Sequence, residues 1–244
     1  MYTFNYIVEH EKSLNELFKN IDSIFLKNGF TVHSDRNTTK KIEFNGRFFA
    51  VKLFQSPNML QRLAYANFRK PKAQRSLEFS EKLIEAGLHS PKPIGYIVKI
   101  KRMQVQQSYY ISEFHDFEYD LIPVFKHFNT HLELIEKFVK TVARMHDCNI
   151  YHHDLTKRNV LINPLKEQVF SFIDNNRMSF DRMSLKMRME SISKLTNNIA
   201  ELHTLAKLYS KYSIYSPDRC IHFIQKGFEK SQRYKRAKKF LKGK

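Results

Sequence analysis

Apolar residues follow a helical spacing in some stretches of the chain and alternate with polar ones in others. From 11 to 28, Leu14, Leu17, Phe18, Ile21, Ile24 and Phe25 recur at steps of three and four, which predicts one helix with one buried face, stopped by Gly29. Residues 31–54 switch to a strand pattern. Asn45-Gly46 lies between 40–44 and 47–54 and supplies the positive φ angles of a two-residue hairpin turn. A helix is predicted after Pro71, from Lys72 to its stop at Gly87, and residues 91–100 and 103–112 predict two more strands. Thr130 and Glu133 form a capping-box pattern ahead of Leu134, Ile135, Phe138, Val139, Val142 and Met145, the buried face of a further helix. Residues 160–162 and 169–173 read as a strand pair, and about 185–212 and 217–230 as helices.

The chain has 244 residues, 42% of them hydrophobic, enough to bury a core in one domain or two small lobes. A formal charge of +18 exceeds what folding needs and points to an anionic partner: nucleic acid, an anionic membrane surface or a phosphorylated substrate. Cys148 and Cys220 make neither a disulfide framework nor a metal site and suit a reducing compartment. The first ten residues lack the pattern of a signal peptide, and no stretch is apolar for long enough to span a bilayer, so a cytoplasmic protein is expected.

The candidate chemistry gathers between 151 and 174. His152-His153-Asp154 is followed by Asn159, five residues after the acid, then by the apolar strand pair and Asp174. H-x-D-x-x-x-x-N is the pattern of a kinase catalytic loop, with His153 where protein kinases usually carry Arg. In that chemistry Asp154 orients the attacking hydroxyl and takes its proton, while Asn159 and Asp174 hold Mg2+ on ATP. Ile173-Asp174-Asn175 stands where such kinases write Asp-Phe-Gly, without the glycine. A bland alternative has Asp154 and Asn159 capping a turn and Asp174 ending a strand. The strand pair between the two acids favours the kinase pattern.

Lys52 follows Ala50-Val51 on a strand, as in V-A-I-K, where the lysine contacts phosphates and pairs with a helical glutamate. Glu78 is the expected partner, with Glu81 next in line. Residues 34–39, where a glycine-rich loop would cover the phosphates, contain no glycine. Glu113, Phe114 and His115 leave the second strand as the segment expected to contact adenine. His146 reads as a core or capping histidine, and His152 as a buttress of the catalytic loop. Between strand and helix, residues 58–70 form an insertion, and Arg62, Arg69, Lys70, Lys72 and Arg75 make a basic cluster open to an anionic acceptor or lipid. The fold expected is α+β and two-lobed, like a protein kinase: 1–114 a small antiparallel sheet lobe with one key helix, 115–224 a compact, mainly helical lobe, 225–244 a polybasic tail. No room remains for the long activation segment of a protein kinase, which favours a small-molecule, sugar or lipid acceptor.

Val51-Lys52, the run from Arg75 and Glu78 through Ala86-Gly87 to Pro91 and Pro93, the loop from His152 to Asn159, and Asp174 with Asn176-Arg177 resemble the bacterial lipopolysaccharide kinase family. The likeness covers about 35–215. Its catalytic motifs are shared with aminoglycoside and choline kinases, while the stretch 75–93 and the Asp-x-Asn-Arg run speak for this family in particular. The resemblance implies that Lys52 and Glu78 position ATP, that Asp154 serves a Kdo or heptose hydroxyl, and that Asn159 and Asp174 bind Mg2+. It also implies a lipopolysaccharide precursor as acceptor, at the inner face of the cytoplasmic membrane. The tail, with nine Lys and Arg from Lys226 onward against Glu229, would meet the anionic membrane. A soluble kinase of the aminoglycoside or choline type and an inactive kinase-like binding protein are the alternatives. No nucleic-acid signature beyond charge is present.

Overall fold

The computed structural model describes residues 3–9, 11–34, 37–55, 70–101, 104–117, 119–163 and 169–241. The insertion at 58–69, Asp35 and Arg36 of the glycine-free loop, and Lys242 to Lys244 lie outside these. The chain divides into two compact units: 1–85, 90–116 and 174–176 form the first, and 86–89, 117–173 and 177–244 the second.

The first unit is an antiparallel sheet with helices on its faces. Its strands are β1 (Thr3–Glu9), β2 (Phe30–Ser34), β3 (Asn37–Phe44), β4 (Arg47–Phe54), β5 (Pro93–Lys101) and β6 (Gln104–Glu113), in the spatial order β1-β5-β6-β4-β3-β2. β1 extends the sheet by pairing along β5, from Thr3 opposite Lys101 to Glu9 opposite Gly95. Its partner lies about ninety residues away in sequence, so no local pattern announces it. The β3–β4 turn is the expected one: Phe44 pairs with Arg47, and Asn45 and Gly46 have φ of 50° and 71°.

The helix expected over 11–28 is present in pieces: a 3-10 turn (Lys12–Leu14), α1 (Asn15–Lys19) and α2 (Ile21–Lys27), interrupted at Asn20. The buried face survives the break. Leu14, Leu17, Phe18, Ile21 and Phe25 pack with Ile42, Phe49, Val51, Tyr109 and Ile111. At Gly29, with φ of 88°, an added Cβ would lie 2.6 Å from the Lys41 carbonyl oxygen, so the chain enters β2 by a path that excludes other residues. On the opposite sheet face, α3 (Lys72–Glu85) sets Ala73 and Leu77 against Phe54, Tyr96 and Val98. Successive strand residues alternate between faces, so Phe49 and Val51 enter the α1–α2 core while Phe54 meets α3. Lys52 shares the parity of Phe54, and its ammonium lies 5.4 Å from that ring.

The second unit is mainly helical: α4 (Ile122–Lys126), α5 (Leu132–Asp147), α6 (Leu185–Ile192), α7 (Ile199–Lys211) and α8 (Pro217–Leu241). Short strands β7 (Tyr119–Asp120), β9 (Val160–Ile162) and β10 (Phe170–Phe172) form one sheet, and β8 (Tyr151–His152) pairs with β11 (Met178–Ser179). α5 buries the predicted face, but the expected capping box is not made. His131 occupies the N-cap and no side chain caps it, because the chain through Thr130 is still in a turn. The helix expected over 185–212 is two helices. The turn at 193–198 separates them, and Asn198 caps α7 by accepting the Ala200 N–H at 2.9 Å. α8 runs past the predicted end near Lys230 to Leu241. His146 is the core histidine expected. It lies 3.1 Å from the Tyr209 hydroxyl, and burial pushes its imidazole down to about 3, keeping it neutral. Among the described residues, no helix is long and apolar enough to cross a membrane.

Candidate active site

The proposed catalytic residues fall into two groups, one in each unit. In the first, strand β4 delivers Lys52, whose Nζ lies 2.7 Å from Asp174 Oδ1, with both side chains mostly sheltered from water. Asp174 takes a left-handed backbone, φ 58°, unusual for a residue with a side chain. The two residues after it explain how that turn holds. Asn175 is buried, and its Nδ2 donates to Ser80 Oγ at 3.0 Å and to Ser90 Oγ at 2.9 Å. Asn176 Nδ2 donates to the Asp174 carboxylate, and Arg75 Nη1 donates to the Asn176 carbonyl at 2.8 Å in a buried bond. Tyr110 donates to the same Ser80 hydroxyl at 3.2 Å, and burial pushes its phenol up to about 12. The turn is thus bound by side chains to α3 and to Ser90.

The ion pair expected between Lys52 and Glu78 is not formed. Glu78 accepts from Lys70 at 2.7 Å and from Gln74 at 3.0 Å, one helical turn away, while Lys52 goes to Asp174. The physical reason is local: Lys70 and Gln74 lie within eight residues of Glu78 and reach it without crossing the sheet face. Glu113 accepts from Arg47 Nη2 at 2.9 Å. The Glu113 and Phe114 amides donate to Lys92 and Phe48 carbonyls, each at 2.9 Å, so this segment is tied to the sheet through its N–H groups. The Lys41 ammonium sits over the Phe48 and Phe114 rings at 4.5 and 4.4 Å.

In the second unit, Asp154 follows β8 and is held by short-range bonds. Its amide donates to His152 Nδ1 at 3.1 Å, so the buried His152 is the buttress expected, with its Nδ1 the accepting nitrogen. Asn159, at the end of a 3-10 turn (Lys157–Asn159), donates from Nδ2 to the Asp154 carbonyl at 2.8 Å. That bond uses one of the two Nδ2 hydrogens and leaves Oδ1 as the amide's acceptor. The Asn159 carbonyl in turn accepts the Ile173 N–H at 3.0 Å. Arg177 Nη1 lies 3.5 Å from Asp154 Oδ2, and Lys194 Nζ donates to the His153 carbonyl at 3.0 Å.

Sequence reasoning missed Ser80, Ser90 and Lys194 altogether. It named Arg75, Asn175 and Arg177 within motifs, without their contacts. The missing glycine after Asp174 was the one visible signal, since amide side chains in that turn need partners. Nothing in the pattern singled out the two serines.

A sequence model of the "Lipopolysaccharide kinase (Kdo/WaaP) family" matches residues 39–214. No curated protein matches the sequence. Among solved structures, "WaaP in complex with acyl carrier protein" is similar with a TM-score of 0.61 at 16% identity, covering 92% of this chain and 98% of that one. A "Stt7 homolog from Micromonas algae soaked with ATP" is similar at a TM-score of 0.45 and 12% identity, over 63% of this chain and 49% of that one. The first likeness is one of fold.

Proposed function

The chain belongs to the lipopolysaccharide kinase (Kdo/WaaP) family, and from that premise we propose that it moves the γ-phosphoryl group of ATP to a Kdo or heptose hydroxyl in the inner core of lipopolysaccharide. The observation that carries the reading is the 2.7 Å pair between Lys52, on its strand, and Asp174, after the strand pair. It joins the two residues that kinase chemistry assigns to nucleotide phosphate and to metal.

In this reading Asp154 accepts the proton of the sugar hydroxyl. Its backbone is held from both sides, by His152 at the amide and Asn159 at the carbonyl, so the loop that carries the carboxylate is fixed before the reaction. Asn159 Oδ1 and the Asp174 carboxylate are each hard oxygen donors, the kind Mg2+ takes beside substrate phosphates. Mg2+ would supply charge neutralisation on the phosphates. Lys52 then contacts phosphate, and Glu78 takes over Lys52 when Asp174 is committed elsewhere. Residues 113–115 face adenine, using carbonyl groups at Glu113 and Phe114, whose amides serve the sheet.

Docking at the inner face of the cytoplasmic membrane is assigned to α8. Lys226, Lys230, Arg233, Tyr234 and Arg236 are exposed on it, and each basic residue near an anionic surface adds about 1 kcal/mol before screening. Pairing of Lys230 with Glu190 and of Arg233 with Glu229 reduces that sum.

The deciding experiment offers purified protein ATP and Mg2+ with Kdo–lipid A, a heptosylated core and small-molecule acceptors side by side. Transfer to a core sugar is expected. Transfer only to aminoglycoside or choline, or ATP binding with no transfer to any acceptor, overturns the reading. Co-sedimentation with anionic vesicles at low and high salt, with and without residues 235–244, tests the membrane contact.

A further inference from the structure

Asp154 is flanked by cations that a general base does not require. β8 and β11 pair with His152 opposite Met178 and Tyr151 opposite Ser179, which brings Arg177, just before β11, against the residues just after β8. His153 donates its amide to the Arg177 carbonyl at 2.9 Å, and Arg177 Nη1 reaches Asp154 Oδ2 at 3.5 Å. From the turn after α6, Lys194 Nζ donates to the His153 carbonyl at 3.0 Å and lies 3.5 Å from the Tyr151 hydroxyl. Lys230 pairs with Glu190 at 3.1 Å. Burial holds the Lys194 amine below its ordinary range, against the pull of Asp154 and Glu190, and the charges of Arg177 and Lys230 add to the lowering. Three cations therefore share this corner with two carboxylates.

The Arg177 contact is long, and its side chain is 60% exposed. A guanidinium so placed can still bind a carboxylate or phosphate with two N–H groups. We propose that Arg177 and Lys194 form a subsite for an anionic group of the acceptor, a carboxylate or a phosphate monoester carried near the hydroxyl that Asp154 serves. The proposal rests on the reading of Asp154 given above. It also sets specificity: a cationic acceptor such as an aminoglycoside meets excess positive charge there.

The test uses the full chain with Kdo–lipid A, the same acceptor with its Kdo carboxylate methyl-esterified, and the same acceptor with the lipid A phosphates removed. Binding is measured calorimetrically with a non-hydrolysable ATP analogue present, and turnover separately with ATP. Arg177→Met and Lys194→Met are each expected to raise Kd and KM for the charged acceptor about tenfold or more, the scale of a lost charge-assisted bond, with kcat little moved. Lys194→Arg should restore much of the loss. Neutralising the group that is read should cost the wild type a similar factor and the variants little further, since the two losses describe one contact. Coupling to the ester identifies a carboxylate, and coupling to phosphate removal a phosphate. Losses that simply add for both neutralised acceptors, a fall in kcat with KM unchanged, or a wild type that binds no acceptor each overturn the subsite. Failure of the kinase reading shows differently: acceptor binding that depends on Arg177, with no transfer by the wild type.

Discussion

The two acids at the centre of the proposed chemistry are held in opposite ways. Asp154 sits in a loop that builds itself: its amide and carbonyl are bound by residues two before and five after it. Asp174 sits in a turn with a strained φ of 58°, held by Lys52, Ser80, Ser90 and Arg75, residues 84 to 122 positions away or bonded through its neighbours across similar spans. The first arrangement survives on local geometry. The second exists only if β4, α3 and the turn are all in place, so folding of the first unit and readiness of Asp174 are one event.

The largest expected effect falls on the locally built acid. Asp154→Asn keeps the two backbone bonds and removes the proton acceptor, so transfer should drop about a hundredfold to ten-thousandfold. Nucleotide affinity should stay near wild type, measured by calorimetry beside the rate assay. A wild-type rate would remove Asp154 from the chemistry. Next come Lys52→Ala and Asp174→Ala, each expected to cut transfer severely. Their effects on the stability of nucleotide-free protein should be coupled by about 0.5–3 kcal/mol in a double-mutant cycle, as for side chains in direct contact. The matching cycle between Lys52 and Glu78 should be additive within about 0.5 kcal/mol.

The same contrast explains what could be read from sequence. The Asp154 loop was legible because its partners, His152 and Asn159, are part of the motif itself. The Asn45-Gly46 hairpin and the buried faces of α2 and α5 were legible for the same reason, since turn chemistry and periodicity are local. β1 was not, because its stability comes from pairing with β5. The carboxylate that holds Lys52 was misassigned because two acids could serve and the choice depends on tertiary geometry. Lys70 and Gln74 reach Glu78 first, and Asp174 is 122 residues from Lys52. The break between α6 and α7 was hidden by apolar residues that continue a helical spacing through a turn, and that turn carries Lys194.

Asn175 tests the long-range anchoring directly. Asn175→Ala removes the donor to two buried serine hydroxyls, and leaving buried polar groups unsatisfied costs about 1–3 kcal/mol. The loss should appear as a lower denaturation midpoint with unchanged m-value. Mg2+–nucleotide affinity should fall as well, because the turn that presents Asp174 is loosened. Asn175→Gly should lose the same anchoring and stability. Unchanged stability in both would mean that Arg75 and Asn176 alone hold the turn.

The smallest effect on stability is expected at Glu78. Its pairing with Lys70 is at the surface, with the lysine side chain 58% exposed, and exposed pairs contribute at most about 1 kcal/mol. Glu78→Gln and Lys70→Ala should therefore shift the unfolding midpoint of nucleotide-free protein only slightly, and less at high salt. Nucleotide binding separates the two. An Asp174 oxygen that binds a cation no longer serves Lys52, and a lysine with no carboxylate beside it is poorly oriented toward phosphate. If Glu78 takes Lys52 over, Glu78→Gln weakens ATP binding by about tenfold, the scale of one charge-assisted hydrogen bond. Lys70→Ala leaves that affinity unchanged or improves it, because the glutamate is then released. Equal ATP affinity for wild type and Glu78→Gln would keep Glu78 with Lys70 throughout and make Asp174 the lasting partner of Lys52. Calorimetric titration of both variants with ATP and Mg2+ decides between them.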